Sequence, residues 1–305
     1  MSPSHTLDDA ERYRLLRLRP PSQTLAWVEE TLGAKVTRVR VLLGGRSSAM
    51  HVLYVAWPSE TGAAVLRRSV VPLIHAKDPD IAGREARVLQ RLEATPVPAP
   101  QLLAVDPTGA ETDVPTILMA RLPGRLDGAP KGTDQWLRGL AGVLPAIHAA
   151  PLTSEHGIDD FRPYDPESGE PPTWMQAPAL WERALEIFHG PRLDPDRVFI
   201  HRDFHLANVL WHRGRLSGVV DWQAASMGPP SVDVSWCRGN LIGNFGLETA
   251  DRFVRIWEEI SGRSFHPWAE VVLLVDLMSW PVERTRQERE DLECALAQRL
   301  SELGK

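Results

Sequence analysis

The chain has 305 residues, 43% of them hydrophobic and 24% charged, with a formal net charge of −6. At ~150 residues per domain this suggests about two compact units, ordinary for a soluble globular protein, and leaves no room for disorder or a coiled coil as the main state. The acidic balance gives a nucleic-acid binder no electrostatic footprint, and the 2 Cys (Cys237 and Cys294) are too few for a disulfide framework, so a reducing compartment is expected.

The N-terminal Met1–Pro20 mixes basic, acidic and apolar residues and lacks the continuous apolar stretch of a signal peptide. The best apolar run, Val271–Trp280, is about half a membrane span and carries Asp276. A cytoplasmic protein with no membrane partner, monomer or homodimer, is the expectation. The first ~120 residues read as strands with one clear helix. Val36–Leu43, His51–Trp57 and Ala63–Ser69 are strand candidates, the last two joined by a five-residue loop ending in Gly62. Asp80 is placed to cap a helix over Ile81–Glu93, which three prolines in Ala94–Pro100 terminate. Thr116–Met119 is a short strand, and Leu122-Pro123-Gly124 a breaker.

Beyond the breaker the chain is mainly helical. Thr133 or Asp134 caps a helix with Leu137, Leu140, Leu144, Ile147 and His148 on one face, and Pro151–Pro178 reads as a long loop. A helix near Ala179–Phe188, a strand-turn-strand region over 197–222 and further helices complete the chain. Strands first and helices afterwards suggest two lobes. Charge divides with them: residues 1–120 carry fourteen basic and thirteen acidic side chains, the remainder twenty and twenty-seven. The acidic half either favours a cationic substrate or merely solvates its helices.

The informative segment is 197–222. An apolar run enters a loop with His201, Arg202 and Asp203; Asn208 follows five positions after the Asp, and a second strand pair ends at Asp221. Asn208 at the start of one strand and Asp221 at the end of its partner should lie close together. Their oxygens suit Mg²⁺, which takes one or two protein carboxylates and keeps its other positions for water and phosphate. Asp203 on the preceding loop can accept a hydroxyl proton. His201-Arg202-Asp203 followed by four residues and Asn208 matches the catalytic-loop pattern of kinases. His201 and His205 at i,i+4 would suit zinc on a helix, but the segment reads as a loop.

In these motifs the sequence resembles the aminoglycoside phosphotransferase and choline kinase-like family, whose fold is like that of protein kinases. Besides the loop His201–Asn208, the resemblance rests on Val219-Val220-Asp221-Trp222, on Gly228-Pro229-Pro230 and on Asp233. It covers roughly 35–300 and is most specific over 197–240. It implies an α+β, two-lobed fold: a β-rich N-lobe over 1–118 with an N-terminal helical extension, a hinge over 119–124, and a mainly helical C-lobe over 125–305, with the site in the cleft between them. It also implies ATP, GTP not being excluded, and Mg²⁺ as cofactors, and a small-molecule hydroxyl as acceptor. In role, Asp203 resembles the catalytic base, Asn208 and Asp221 the metal ligands, His201 a brace for the loop, and Asp233 a structural residue holding the metal-binding segment. The hinge, including Met119 and Arg121, would present backbone groups to a purine edge.

The N-terminal half offers its own test. A kinase needs a cation near the α/β-phosphates, held by a helix carboxylate. Arg67 stands where protein kinases put Lys, and Glu85 lies on the apolar stripe of Ile81, Val88, Leu89 and Leu92, where a carboxylate needs a cation partner. Glu85→Ala is therefore expected to weaken ATP use more than folding, Arg67 still being able to reach solvent. Gly45, Ser47 and Ser48, in the loop Leu43–Met50, offer small residues and N–H groups to phosphate without forming G-x-G-x-x-G. Arg46 and Arg68 are the alternative cations. A protein kinase is disfavoured because Asp221 is followed by Trp222-Gln223 and no Ala-Pro-Glu occurs after it. The competing reading is a nucleotide-binding pseudokinase or scaffold, kept open by Arg67 and the missing glycine motif. Resistance to an antibiotic and ordinary metabolism both fit the pattern.

Overall fold

The computed structural model describes residues 9–45, 47–164, 169–280 and 282–304. The chain divides into two compact units: Met1–Ala94 with Ala99–Leu122, and Thr95–Pro98 with Pro123–Lys305.

The first unit is built on one five-stranded antiparallel sheet. Helices α1 (Asp9–Leu15) and α2 (Ser22–Leu32) precede β1 (Lys35–Leu42), β2 (Ala49–Ala56) and β3 (Thr61–Arg68). After α3 (Pro72–Lys77) and α4 (Ile81–Leu92) come β4 (Leu102–Asp106) and β5 (Thr116–Ala120), giving the order β1-β2-β3-β5-β4. Two of the expectations for this half need correction. Among the described residues it carries four helices, where the residue pattern showed one and the resemblance added an N-terminal helical extension, and it has a strand, β4, that the pattern did not show. α2 owes its place to packing: its buried Val28 joins a cluster with Leu53, Val55, Leu66 and Leu118, and Leu25 packs against it. β4 is half-buried along most of its length and shows no strong alternation. Asp80 precedes α4 but makes no cap hydrogen bond; its carboxylate pairs with Arg87 at 2.6 Å.

The side-chain alternation of a strand sends neighbours to opposite faces. On β3, Arg67 reaches Glu85 of α4. Arg68 turns the other way, to the Asp113 carboxylate and the Leu18 carbonyl, which ties the N-terminal segment to the sheet.

The second unit is mainly helical: α5 (Asp134–His148), α6 (Pro178–His189), α7 (Ser231–Ser261), α8 (Pro267–Ser279) and α9 (Arg286–Leu303). Two small antiparallel pairs sit among them, β6 (Val198–Ile200) with β9 (Ser226–Gly228) and β7 (Val209–His212) with β8 (Arg215–Val219). Thr133 caps α5 by accepting from the Trp136 N–H. The apolar run of α8 is a core helix, buried continuously from Trp268 to Asp276, and among the described residues no helix is long and apolar enough to cross a membrane. Fully buried Arg238 and Glu270 pair inside this helical layer, and Arg299 completes the cluster at 2.6 Å. α7 breaks at Gly246, whose φ of 78° is left-handed and open to glycine without strain. The proline-rich segment Thr95–Pro98 belongs to this unit, and the Pro98 carbonyl accepts the Val219 N–H at 2.8 Å.

Candidate active site

The loop between β6 and β7 is anchored from behind. Asp233, in the first turn of α7 and fully buried, accepts the His201 and Arg202 N–H groups at 3.0 and 2.7 Å, and its Oδ2 meets His148 Nε2 at 3.0 Å. The sequence placed Asp233 behind the metal-binding segment; it holds the loop of the candidate base instead. The reason is its position at the helix start, where the carboxylate faces the ends of β6 and α5 rather than the end of β8. Arg202 sits at a φ of 70°, costly for a non-glycine residue and stable only where surroundings over-determine it.

His201 is fully buried and bonded at both ring nitrogens: Nδ1 accepts the Asp203 N–H at 3.3 Å, and Nε2 donates to the Val220 carbonyl at 3.0 Å. One ring thus links the base-bearing loop to the end of β8. Its ring lies 4.5 Å from that of Trp222, which is itself stacked at 6.0 Å on Phe199.

Asp203 is more than a third exposed, unlike the residues that position it. Asn208 Nδ2 donates to the Asp203 carbonyl at 2.9 Å and to its Oδ2 at 3.2 Å. Asn208 ends a 3₁₀ turn, Leu206–Asn208, rather than opening β7, and its carbonyl accepts the Val220 N–H at 2.9 Å. Asp221 follows β8 with a left-handed φ of 69°. Asp203, Asn208 and the Val220–Asp221 turn are therefore linked through a short set of hydrogen bonds. His205 escaped the sequence reading except as a zinc ligand. Its Nδ1 accepts the Ala207 N–H at 3.2 Å, so Nε2 faces Asp203 Oδ1, at 3.4 Å. Its place two residues beyond Asp203 was the available signal. Among the described residues no group of three or more His, Cys, Asp or Glu gathers to hold a metal. An Asn and one Asp suit Mg²⁺, which keeps waters and phosphate oxygens for its other positions.

In the first unit Arg67 Nη1 meets both Glu85 oxygens, at 3.0 and 3.2 Å, with side-chain exposures of only 7% and 2%. Gly45, Ser47 and Ser48 lie on the β1–β2 loop. A Cβ on Gly45 would stand 2.9 Å from the Ser48 carbonyl, so the turn needs glycine there. Arg46 lies outside the described residues. Met119 is buried in β5, paired with Val65 and Leu102, and the next amide, Ala120, donates to the Gln101 carbonyl at 2.9 Å. Arg121 is exposed just past the strand.

A family model described as a phosphotransferase enzyme family matches residues 40–296, and the chain belongs to that family. An N-acetylmuramate/N-acetylglucosamine kinase of Neisseria meningitidis serogroup B is 33% identical over 119 residues, 39% of this chain and 35% of that kinase. The chain thus matches about a third of the length of this curated relative. The fold is the kinase-like fold of solved aminoglycoside phosphotransferases. One, a thermostable mutant in ternary complex with ADP and hygromycin B, matches with a TM-score of 0.57 at 19% identity, covering 92% of this chain and 98% of that one. A macrolide 2'-phosphotransferase from Brachybacterium faecium matches with a TM-score of 0.55 at 21% identity, over 88% and 96%.

Proposed function

We propose that this protein is a small-molecule kinase that transfers the γ-phosphate of ATP to a hydroxyl group. The observation that carries this is the Asp203–Asn208 pair: the amide donates to Asp203 and so keeps its Oδ1 to offer a hard cation. Asn208 Oδ1 and the Asp221 carboxylate would hold Mg²⁺. That ion, when bound, neutralises charge on the β- and γ-phosphate oxygens.

Asp203 takes the proton of the acceptor hydroxyl and aims its oxygen for in-line attack, a positioning role in a reaction with a loose transition state. The acceptor O–P bond forms, the bond from the γ-phosphorus to the bridging oxygen breaks, and ADP leaves. His201 and Asp233 act through the loop rather than on substrate. Arg67, oriented by Glu85, supplies the phosphate cation, and the β1–β2 loop with Gly45, Ser47 and Ser48 supplies backbone donors. The hinge role of 119–124 stands as part of the same reading, with Met119 and Arg121 near the purine; the Ala120 amide being already engaged, the donors to the base would come from positions after it.

The relatives act on amino sugars, or are aminoglycoside and macrolide phosphotransferases by name, so the acceptor panel should hold all three classes. An ADP-release screen over such hydroxyl compounds, with ATP and GTP in parallel and mass spectrometry of the product, tests the proposal. A product heavier by one phosphoryl group is expected. Metal-dependent nucleotide binding with no turnover on any acceptor would replace the proposal with the pseudokinase reading.

A further inference from the structure

A cavity of about 20 Å³ lies in the second unit beside the loop of Asp203. A water needs roughly 10–15 Å³ and about two to four polar partners, so the cavity has room for one water and nothing larger. Arg202 and Asp276 line it, with Val232, Val272 and Leu273 among its apolar walls. The Arg202 guanidinium lies 4.3 Å from the centre of the Tyr164 ring and 5.6 Å from that of Phe161, and its Nη2 donates to the Arg162 carbonyl at 2.7 Å. Its Nε–H is buried and, among the described residues, has no acceptor. Asp276, in α8, is 6% exposed; its Oδ1 accepts from Trp280 Nε1 at 3.1 Å, while Oδ2 is buried and, again among the described residues, lacks a donor.

One residue with a spare donor and one with a spare acceptor thus border a space the size of a water. Each spare group costs about 1–3 kcal/mol if nothing satisfies it. Water accepts one hydrogen bond while donating another, so a single molecule satisfies both. A cation would meet the fixed charge of Arg202, and an anion would meet Asp276. Burial raises the Asp276 pKa; the Trp280 hydrogen bond and the Arg202 charge oppose that rise, and the charge of Asp203 adds to it. Asp276 therefore lies within electrostatic reach of Arg202 and of the candidate base.

Arg202 immediately precedes Asp203, and its left-handed φ of 70° is a conformation that costs about 1–3 kcal/mol and persists only where the surroundings over-determine it. Asp233 holds the Arg202 backbone from α7, through the N–H at 2.7 Å. The two rings and the Arg162 carbonyl hold the far end of the side chain. A link from Nε to α8 completes the grip.

We propose that one ordered water joins Arg202 Nε to Asp276 Oδ2, and that Asp276 is through it a positioning residue, pinning the Arg202 side chain, holding the left-handed backbone and so aiming the Asp203 carboxylate. This rests on the reading of Asp203 as the base.

A crystal structure of the full chain should show one water within hydrogen-bond distance of both atoms. A dry cavity, or a water that meets only one of them, overturns the link. In turnover, a reacting group displaced by about 1 Å can lose on the order of 10²-fold in rate. Asp276→Leu should therefore lower kcat at least about tenfold, with the ATP and acceptor KM values changed less than about threefold. Asp276→Asn, whose amide can still serve both Trp280 and the water, should keep part of the rate. The decisive variant combines Arg202→Gly with Asp276→Leu. Glycine takes a φ of 70° without strain and needs no anchor, so the pair should recover most of the rate lost in Asp276→Leu alone. A merely stabilising Asp276 gives no such recovery. Should Asp276→Leu not fold, Arg202→Met removes the other end of the link, keeps an apolar stem beside the rings and carries the same kcat and KM expectation. An unchanged kcat, a KM effect larger than the kcat effect, or a double variant as slow as Asp276→Leu overturns the proposal. Hydrogen exchange over 201–208, read without substrate, separates this from the kinase reading. Faster exchange there in the Asp276 or Arg202 single variant, with no ADP released by the wild type on any acceptor, leaves the link standing and overturns the kinase reaction. Unchanged exchange overturns the link.

Discussion

The two units hold their chemistry in opposite ways. In the first, Arg67 and Glu85 project from a regular strand and a regular helix, and both side chains are almost wholly buried. In the second, Asp203 and Asn208 lie on irregular backbone flanked by left-handed Arg202 and Asp221, and Asp203 remains more than a third exposed. The first arrangement ties function to folding, because a buried charge cannot lose its partner without cost. The second separates them: the loop is fixed by Asp233 and His201 from behind, and the carboxylate of Asp203, the proposed base, is free of the buried pairing that holds Arg67.

This contrast revises the expectation for Glu85. Arg67 cannot reach solvent from 7% side-chain exposure, so Glu85→Ala takes a carboxylate away from a buried guanidinium and should destabilise the protein by up to about 3–5 kcal/mol. Urea unfolding measures this, and the ATP KM should rise as well. Arg67→Ala combined with Glu85→Ala should cost clearly less than the sum of the single changes. An unfolding midpoint close to wild type in Glu85→Ala would break the comparison at its first term.

Asp203→Asn should do the reverse. It should lower kcat at least ~10²-fold with an unchanged unfolding curve and intact nucleotide binding by titration. Near-wild-type turnover would remove Asp203 from the mechanism; a large stability loss would show that the loop is not held from behind.

Asp233→Asn sharpens the middle ground. It keeps the shape but places an amide where two N–H groups and His148 now meet carboxylate oxygens. About 1–3 kcal/mol of stability should be lost through mismatched buried donors, together with turnover. If kcat falls and stability does not, the helix holds the loop only loosely.

The smallest effect belongs to His51 on β2. It is fully buried, with neither ring nitrogen bonded among the described residues; burial, and secondarily the Arg68 charge, lowers its pKa from 6.5 to about 4. The folded state therefore resists a proton that the unfolded chain accepts. Its contribution is whole above pH 6.5 and is lost as pH falls toward 4. By linkage about 1.2 kcal/mol should disappear between pH 7 and pH 5.5. His51→Phe should flatten that part of the pH profile of urea unfolding, and a profile identical to wild type would assign the slope to other groups.

Much of this molecule was legible in its residues because it is written locally. Strand alternation and turn residues marked β1–β3 and β5, the apolar stripe marked α4 and α5, and the four-residue spacing between Asp203 and Asn208 marked the candidate catalytic loop. The Arg67–Glu85 pairing was legible too, since a lone carboxylate on an apolar helix face demands a cation. Local patterns could not reveal α2, whose burial comes from the sheet it covers, or β4, whose side chains are buried to similar degrees on both faces. Nor could they show that Asp233 grips the loop, that His205 turns toward Asp203, or that Arg202 and Asp276 line one cavity seventy-four positions apart. Each of these is a contact between elements distant in sequence. Residue type and spacing determine which groups can react, while packing alone determines which of them meet.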